Sequence, residues 1–235
     1  MIRLCLLAGI LLTGICSAND DRTVLLHPGL DSGQVAFLSD YYMDPTGTKS
    51  LEFAMTEAEF TQNDRDIINL GLRGPHIWVR TRIRNAGDIE GAWVYSLNRA
   101  LLEVVEIYLI RDGSPEMVLS SNKPESIRHS YKKYGTLAFP LKLAPGERVE
   151  IFVHYLPPNW SGLPLDIRDV ESFENQQTRD LIIYFAIMIG VMTLICYNTV
   201  PFVFTARRTF FLYAGAQAAL FIFYSHLEGM TTVYL

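Results

Sequence analysis

Cysteine is scarce in this 235-residue chain and lies where it cannot form stabilising cross-links. Cys5 and Cys16 fall in the apolar N-terminal stretch, and Cys196 lies inside an apolar run near the other end. The long polar part between them therefore has no disulfide, and its fold must be held together by packing. This excludes the small disulfide-rich scaffolds that are common among exported proteins.

Catalytic and metal-binding patterns are also missing. Neither a Gly-x-Ser-x-Gly nucleophile turn nor a glycine-rich phosphate loop occurs in the sequence. The histidines have no ligand spacing such as His-x-x-x-His; they are His27, His76, His129, His154 and His226. We therefore expect no metal, no cofactor and no enzymatic activity.

Acidic residues come close together at Glu57/Glu59 and at Asp64/Asp66, and both pairs lie in a polar stretch. A solvated loop is the favoured interpretation, and a general acid–base pair is the alternative. The net charge of −5 argues against nucleic acid as a partner.

The first 18 residues are typical of a secretory signal peptide. Arg3 supplies the positive start, an apolar run follows from Leu4 to Leu12, and small residues precede a cleavage point after Ala18. A membrane anchor is the alternative, but the apolar run is too short to span a bilayer. We expect residues 19–175 to be exported, and an exported part without cysteine suggests a bacterial envelope protein.

Two long apolar runs lie at the other end of the chain. Residues 181–205 contain no charged residue and, as a helix, exceed the ~30 Å hydrocarbon core of a bilayer. A second run covers 209–229, and the turn between them carries Arg207 and Arg208. Positive charge in short loops stays cytoplasmic, which predicts a transmembrane hairpin in the bacterial inner membrane with the N-terminal domain in the periplasm. A soluble buried hairpin is the alternative.

Polar residues interrupt these apolar runs at Asn198, Gln217, His226 and Glu228. Such groups in membrane helices usually face other helices or water, so either further helices are missing or copies associate into a homo-oligomer. Two small-xxx-small pairs in the second run also permit close helix approach. His226 and Glu228 equally suit the lipid headgroup region.

Between residues 19 and 175 the apolar residues recur with a period of two. The runs 78–85, 103–110, 137–143 and 149–155 each present an apolar face, and turn-forming residues separate them. Many short strands with regular turns predict an antiparallel β-sandwich. A helix is expected near 171–180, leading into the first span.

One strand face is chemically distinctive because Trp78, Arg80, Arg82 and Arg84 all point to the same side. Aromatic rings stack on the apolar faces of sugars, and guanidinium groups bind carboxylates or hydroxyls. This pattern indicates a ligand-facing surface. A solvated strand face, with Trp78 tucked into a core edge, is the alternative.

Several stretches occur in an order that resembles a known module. They are INLGLRGPHIWVRTRIRN (68–85), WVYSLNRALLEVVEIYLI (93–110), Arg128 followed by Tyr131, LAFPLKLAPGE (137–147) and LPLDI (163–167) just before the membrane. The chain from about residue 23 to 235 resembles bacterial seven-transmembrane receptors with diverse intracellular signalling modules, specifically their extracellular domain type 2 and first two membrane helices.

The resemblance implies a jelly-roll sandwich similar to carbohydrate-binding modules, followed by seven helices and a cytoplasmic output such as a diguanylate cyclase or histidine kinase. Tyr108 and Arg128 match family positions and join Trp78, Arg80 and Arg82 as candidate ligand-binding residues. This sequence stops after two spans, so we expect a truncated receptor.

Two functions therefore remain open. The first is a sensory input that binds a small molecule, with a sugar as one candidate, and changes the packing of the membrane helices. The second is a membrane-anchored binding or scaffold protein without signalling output. A hydrolase has no residue constellation to support it.

Overall fold

The computed structural model describes residues 22–28, 33–71, 75–97, 104–120, 137–157 and 162–227, with side chains to 224. The expected signal peptide (1–18), Arg128, Glu228 and the side chain of His226 lie outside the described residues. The strands are β1 (Thr23–Leu26), β2 (Gly33–Gln34), β3 (Asp40–Asp44), β4 (Thr61–Gln62), β5 (His76–Asn85), β6 (Gly91–Leu97), β7 (Val104–Arg111), β8 (Ser114–Ser120), β9 (Leu137–Leu143), β10 (Arg148–Leu156) and β11 (Leu165–Asp169). The helices are α1 (Leu51–Thr56), α2 (Val170–Thr205) and α3 (Arg208–Leu227).

The strands form two packed sheets. The larger, seven-stranded sheet runs β4-β3-β5-β10-β7-β8, and the smaller, four-stranded sheet runs β2-β11-β6-β9. All of these neighbours are antiparallel, while β1 pairs with the second half of β5 in parallel. The prediction of an antiparallel β-sandwich followed by an apolar helix is confirmed.

The core lies between the inner faces of the two sheets. On β5, Ile77, Val79 and Ile83 are fully buried, as the two-residue period predicts. They pack in one cluster with residues of the smaller sheet, including Trp93 and Tyr95. Since successive side chains alternate, the even-numbered residues of β5 all point to the outer face of the larger sheet.

The sandwich passes into the membrane helix without a linker. Strand β11 ends at Asp169 and α2 begins at the next residue. The Asp169 carboxylate accepts hydrogen bonds of 3.0 Å from the backbone N–H groups of Glu171 and Ser172, which starts the helix. Partial burial acts to raise the pKa of Asp169, but these hydrogen bonds outweigh it and hold the pKa below its usual value.

The first turn of α2 packs on the outer face of the smaller sheet. Phe173, 4% exposed, lies against Val94 and Ala138, and Val170 packs beside them. The sequence predicts a helix near 171–180 that leads into the first span from 181. The structure confirms this with one continuous helix, which the Asp169 cap starts at Val170 and which runs to Thr205.

Helices α2 and α3 form a hairpin. The chain reverses at Ala206, whose backbone is left-handed and whose N–H bonds to the carbonyl of Phe202. Asn198 Nδ2 donates to Gln217 Oε1 at 3.2 Å, so two of the polar residues in the apolar runs satisfy each other. In the described part of the chain, α2 alone has the length and apolar composition to cross a membrane. A second span along α3 stays a prediction.

Candidate functional site

The outer face of the larger sheet gathers most of the described candidate residues. Trp78, Arg80 and Arg82 alternate along β5 on this face, as the sequence predicts. Antiparallel register places Phe152 of β10 between Arg80 and Tyr108 of β7. The strands thus bring together side chains that are up to about 70 positions apart in the sequence.

Trp78 is part of a second hydrophobic cluster rather than an open binding surface. Its side chain is only 1% exposed and lies with Ala54, Ile110 and Phe152. The indole ring stacks on the His154 imidazole with 4.4 Å between centroids and 12° between planes. Direct stacking of a ligand on Trp78 is incompatible with this arrangement.

The cover over Trp78 is α1 and the segment that follows it. Ser50 Oγ accepts a hydrogen bond from Phe53 N and caps the helix, which then directs Leu51 and Met55 against the sheet. Phe60 lies edge-on to Phe152, with 6.0 Å between ring centroids. A six-residue helix and the segment after it therefore bury the part of the outer face around Trp78.

The loop that leads to α1 is fixed by Asp44. Its carboxylate accepts hydrogen bonds from Thr46 and from the backbone N–H of Lys49. Burial acts to raise the pKa of Asp44, but these hydrogen bonds outweigh it and lower the pKa below its usual value. Gly47 has a φ of 67°, and a Cβ there would lie 2.6 Å from the His76 ring, so this turn requires glycine.

Arg80 is held in a buried ion pair. Its Nη2 lies 3.1 Å from Asp40 Oδ2, and Asp40 is 5% exposed. The guanidinium also lies 4.4 Å from the centre of the Phe60 ring. The Phe60 contact ties Arg80 to the covering segment, and together with the Asp40 ion pair it leaves little of Arg80 for a ligand.

A chain of titratable side chains runs beside Trp78. His76 Nδ1 and His154 Nε2 are 3.1 Å apart, and His154 Nδ1 lies 3.6 Å from Glu106 Oε2. The Tyr108 hydroxyl donates to the same Glu106 oxygen at 2.9 Å. Burial, with help from Glu106, raises the pKa of Tyr108 to about 12. Burial and the neighbouring His76 lower the pKa of His154 below its usual value, despite Glu106 and Asp44.

Sequence reasoning did not connect these two histidines. The sequence does contain a signal. His76 and Trp78 are two positions apart and so share one face of their strand, while His154 lies on the face opposite to the apolar residues 149, 151, 153 and 155. Their proximity needs the β5–β10 register, which the sequence pattern does not give. In the described ranges, no group of three or more His, Cys, Asp or Glu residues is suited to a metal ion.

An open cleft of about 550 Å³ lies at the other end of this face. Four charged residues line the cleft: Arg82, Arg148, Glu150 and Asp112. Its apolar lining includes Met55 of α1, Ile110, Ile83 and Val149. Arg82 Nε lies 3.6 Å from Glu150 Oε1.

Of the four described residues predicted to bind ligand, Arg82 lines this cleft. Tyr108 and Arg80 lie in the neighbouring covered part of the face. Arg148, Asp112 and Thr23 were not predicted because they come from three separate segments. Asp112 and Gly113 both have positive φ, forming the tight two-residue turn between β7 and β8 that closes one side of the cleft.

Comparison with known proteins gives a family match over the sandwich. The family described as 7TMR-DISM extracellular 2 matches residues 38–169, from the end of the short 3-10 helix before β3 to the last residue of β11. This match covers more than half of the chain. No curated protein matches.

Solved structures give only distant likenesses. A β-glucosidase from Kluyveromyces marxianus is 15% identical, with a TM-score of 0.32, over 56% of this chain and 14% of the enzyme. An α-xylosidase from Xanthomonas citri is also 15% identical, with a TM-score of 0.28, over 56% of this chain and 13% of the enzyme. This chain thus aligns with only a small part of either enzyme.

Proposed function

Because this chain belongs to the 7TMR-DISM extracellular 2 family, we propose that it is the ligand-sensing input part of a bacterial inner-membrane receptor. The sandwich lies in the periplasm, and the turn with Arg207 and Arg208 lies in the cytoplasm. The remaining helices and the output module belong to the rest of such a receptor.

The observation that carries this proposal is the junction between β11 and α2. The strand of the smaller sheet becomes the helix at one peptide bond, and the Asp169 cap and the Phe173 contact fix its direction. A movement of the sheet therefore moves the helix end rather than being absorbed by a loose linker. A binding module that only needs an anchor has no use for such a connection.

The cleft beside Arg82 is the proposed ligand site. Its volume of about 550 Å³ lies within the range of small-molecule pockets, roughly 300–1,000 Å³. Arg82 and Glu150 offer hydrogen bonds to hydroxyl or carboxylate groups, while Met55 and Ile110 offer apolar surface. A sugar or another small envelope metabolite fits this lining.

Coupling requires that the ligand favour one of two arrangements of the domain. Strands β5 and β10 line the cleft on their outer face and contribute Ile83 and Val149 to the core on their inner face. That core is shared with Ile167 of β11, two residues before the helix cap. A shift at the cleft can thus reach α2 through packed side chains.

A dye experiment tests this coupling in the full chain. The native cysteines are replaced by serine, Arg207→Cys is labelled with an environment-sensitive dye, and the protein is placed in lipid nanodiscs. Binding of a panel of monosaccharides and small organic acids is first measured by thermal shift. We expect a stabilising compound to change the dye signal as well.

The matched control inserts three glycines between Asp169 and Val170. This insertion should keep the thermal shift and abolish the dye response, because the sheet no longer turns the helix. Binding without any dye response in the uninterrupted chain would contradict sensing and favour the membrane-anchored binding or scaffold protein. A dye response that survives the insertion would contradict coupling through the junction.

A further inference from the structure

The three arginines of β5 differ in the carboxylates that lie near them. Arg80 lies 3.1 Å from Asp40, and Arg82 lies within 4 Å of both Asp40 and Glu150. Arg84, the third in the row, has no carboxylate within salt-bridge distance among the described residues. Its Nε is buried and has no hydrogen-bond partner in the described part of the chain.

The residue directly opposite Arg84 is a second arginine. Arg84 and Arg148 are register partners on β5 and β10, and both side chains point to the outer face. Opposed residues on antiparallel strands have Cβ atoms only about 4.5–5.5 Å apart, and like charges at that distance destabilise the pair. Arg148 also has no ion-pair partner among the described residues.

One member of this pair, which has no carboxylate partner within the described ranges, lies in the cleft. Arg148 lines the cleft, and Arg84 is its register partner on the adjacent strand, next to the lining. The cleft carboxylate of Glu150 lies 3.6 Å from Arg82 and that of Asp112 belongs to the hairpin turn. Two guanidinium groups side by side can bind one carboxylate or phosphoryl group through several charge-assisted hydrogen bonds.

We propose that the cleft binds a small organic anion whose carboxylate or phosphoryl group bridges Arg84 and Arg148. This inference rests on the proposed sensing function and names the chemical class of its ligand. The anion supplies a counter-charge that no described carboxylate provides, while Met55 and Ile110 contact the uncharged part of the molecule. A sugar acid of monosaccharide or disaccharide size satisfies both requirements.

The test uses the full chain in detergent micelles and follows its thermal unfolding. The probes are sodium D-glucuronate, uncharged D-glucose, inorganic phosphate, and sodium chloride at matched ionic strength. We expect glucuronate or phosphate to raise the unfolding midpoint above the chloride reference. Phosphate acting without glucuronate would assign the phosphoryl class, and the reverse would assign the carboxylate class.

Substitutions of the two arginines test whether the anion binds between them. Arg84→Gln and Arg148→Gln should each weaken the apparent affinity for the active anion by about tenfold or more, since a hydrogen-bonded charge is lost. Arg65→Gln removes the same charge from an exposed loop and should leave the affinity unchanged. No anion effect beyond chloride, or an equal effect in Arg148→Gln and wild type, would overturn the proposal.

A second measurement needs no ligand. At low ionic strength, Arg148→Gln should unfold at a higher temperature than wild type, because the repulsion with Arg84 is removed. Added sodium chloride should narrow that difference. A lower midpoint for Arg148→Gln at low salt would contradict an uncompensated arginine pair.

Failure of this inference is distinguishable from failure of the sensing function. If glucose and glucuronate stabilise equally, Arg148→Gln responds normally and Met55→Trp blocks both, the cleft senses a neutral ligand and the anion proposal is wrong. Met55 is chosen because it lines the cleft from α1, whereas the arginine pair lies on β5 and β10.

Discussion

The two outer faces of the sandwich differ in what covers them. The outer face of the larger sheet carries arginines, histidines and acids; α1 covers one part of it, and another part forms the open cleft. The smaller sheet presents Val94 and Ala138, and the first turn of α2 packs on them. One face thus carries charged side chains and an open cleft, and the opposite face holds the first turn of the long apolar helix α2.

Because the two faces differ, mutations on them should have different effects. Changes on the polar face should alter binding or local stability, and changes on the apolar face should alter how the helix is held. The two faces share one continuous core cluster that includes residues of β5, β10 and β11.

Trp78→Ala should cause the largest loss. Removing a ring that is 1% exposed leaves a cavity beneath α1, and we expect the free energy of unfolding to fall by about 3–5 kcal/mol. Urea denaturation followed by circular dichroism measures this change. Phe37→Ala, which removes a ring that is 42% exposed, should cost about 1 kcal/mol or less. Equal costs for the two substitutions would mean that Trp78 is an open surface residue.

Phe173→Ala should loosen the helix junction. The ring is 4% exposed against the smaller sheet, and its loss should cost about 3 kcal/mol locally. Hydrogen exchange should become faster in the first turns of α2 and stay unchanged around α1. The exposed neighbour Glu174 provides the control through Glu174→Ala, which should leave both regions unaltered. Faster exchange around α1 alone would contradict the division between the faces.

Acidification should weaken the polar face. The pKa of His154 is lowered in the folded chain by burial and by His76, so the unfolded chain binds the proton more readily. The contribution of His154 to the free energy of unfolding is therefore fully present above its unfolded-state pKa of 6.5. It is lost as the pH falls below that value. His154→Gln should flatten that decline in a series of urea titrations between pH 5 and about 8. An unchanged slope in the variant would assign the decline to other groups.

Asn198→Leu should have the smallest effect. It removes the hydrogen bond to Gln217, and polar contacts between membrane helices contribute roughly 0.6–2 kcal/mol. SDS-induced unfolding of the hairpin, followed by energy transfer between labels on α2 and α3, measures the loss. Thr199→Val is the matched control, because the Thr199 hydroxyl bonds to the carbonyl of Ile195 in its own helix.

The features that the sequence predicted correctly depend on neighbouring residues alone. The period of two along β5 assigned Ile77, Val79 and Ile83 to one face and the arginines to the other, because the pleat imposes that alternation on any strand. The charge-free run after Leu181 identified a long apolar helix, which α2 contains. The predicted receptor family is confirmed by the match over 38–169.

What covers a face depends on register and on distant segments. The two-residue period correctly placed Trp78 on the outer face, but nothing in 78–85 shows that residues 51–60 fold over it. Arg148 pairs with Arg84 only because β10 is aligned with β5 at that register. The helix that leads into the span was predicted to begin near residue 171, and the Asp169 cap starts it at Val170.

The most direct test of the central claim is a pair of alkaline phosphatase fusions in a bacterial host. The enzyme is active only in the periplasm, so one fusion follows Asp169, at the end of the sandwich, and the other follows Arg207, in the hairpin turn. We predict high activity after Asp169 and background activity after Arg207, since α2 carries the chain across the membrane between them. Equal activity at both positions, or activity after Arg207 alone, would contradict an outer sandwich joined directly to a spanning helix.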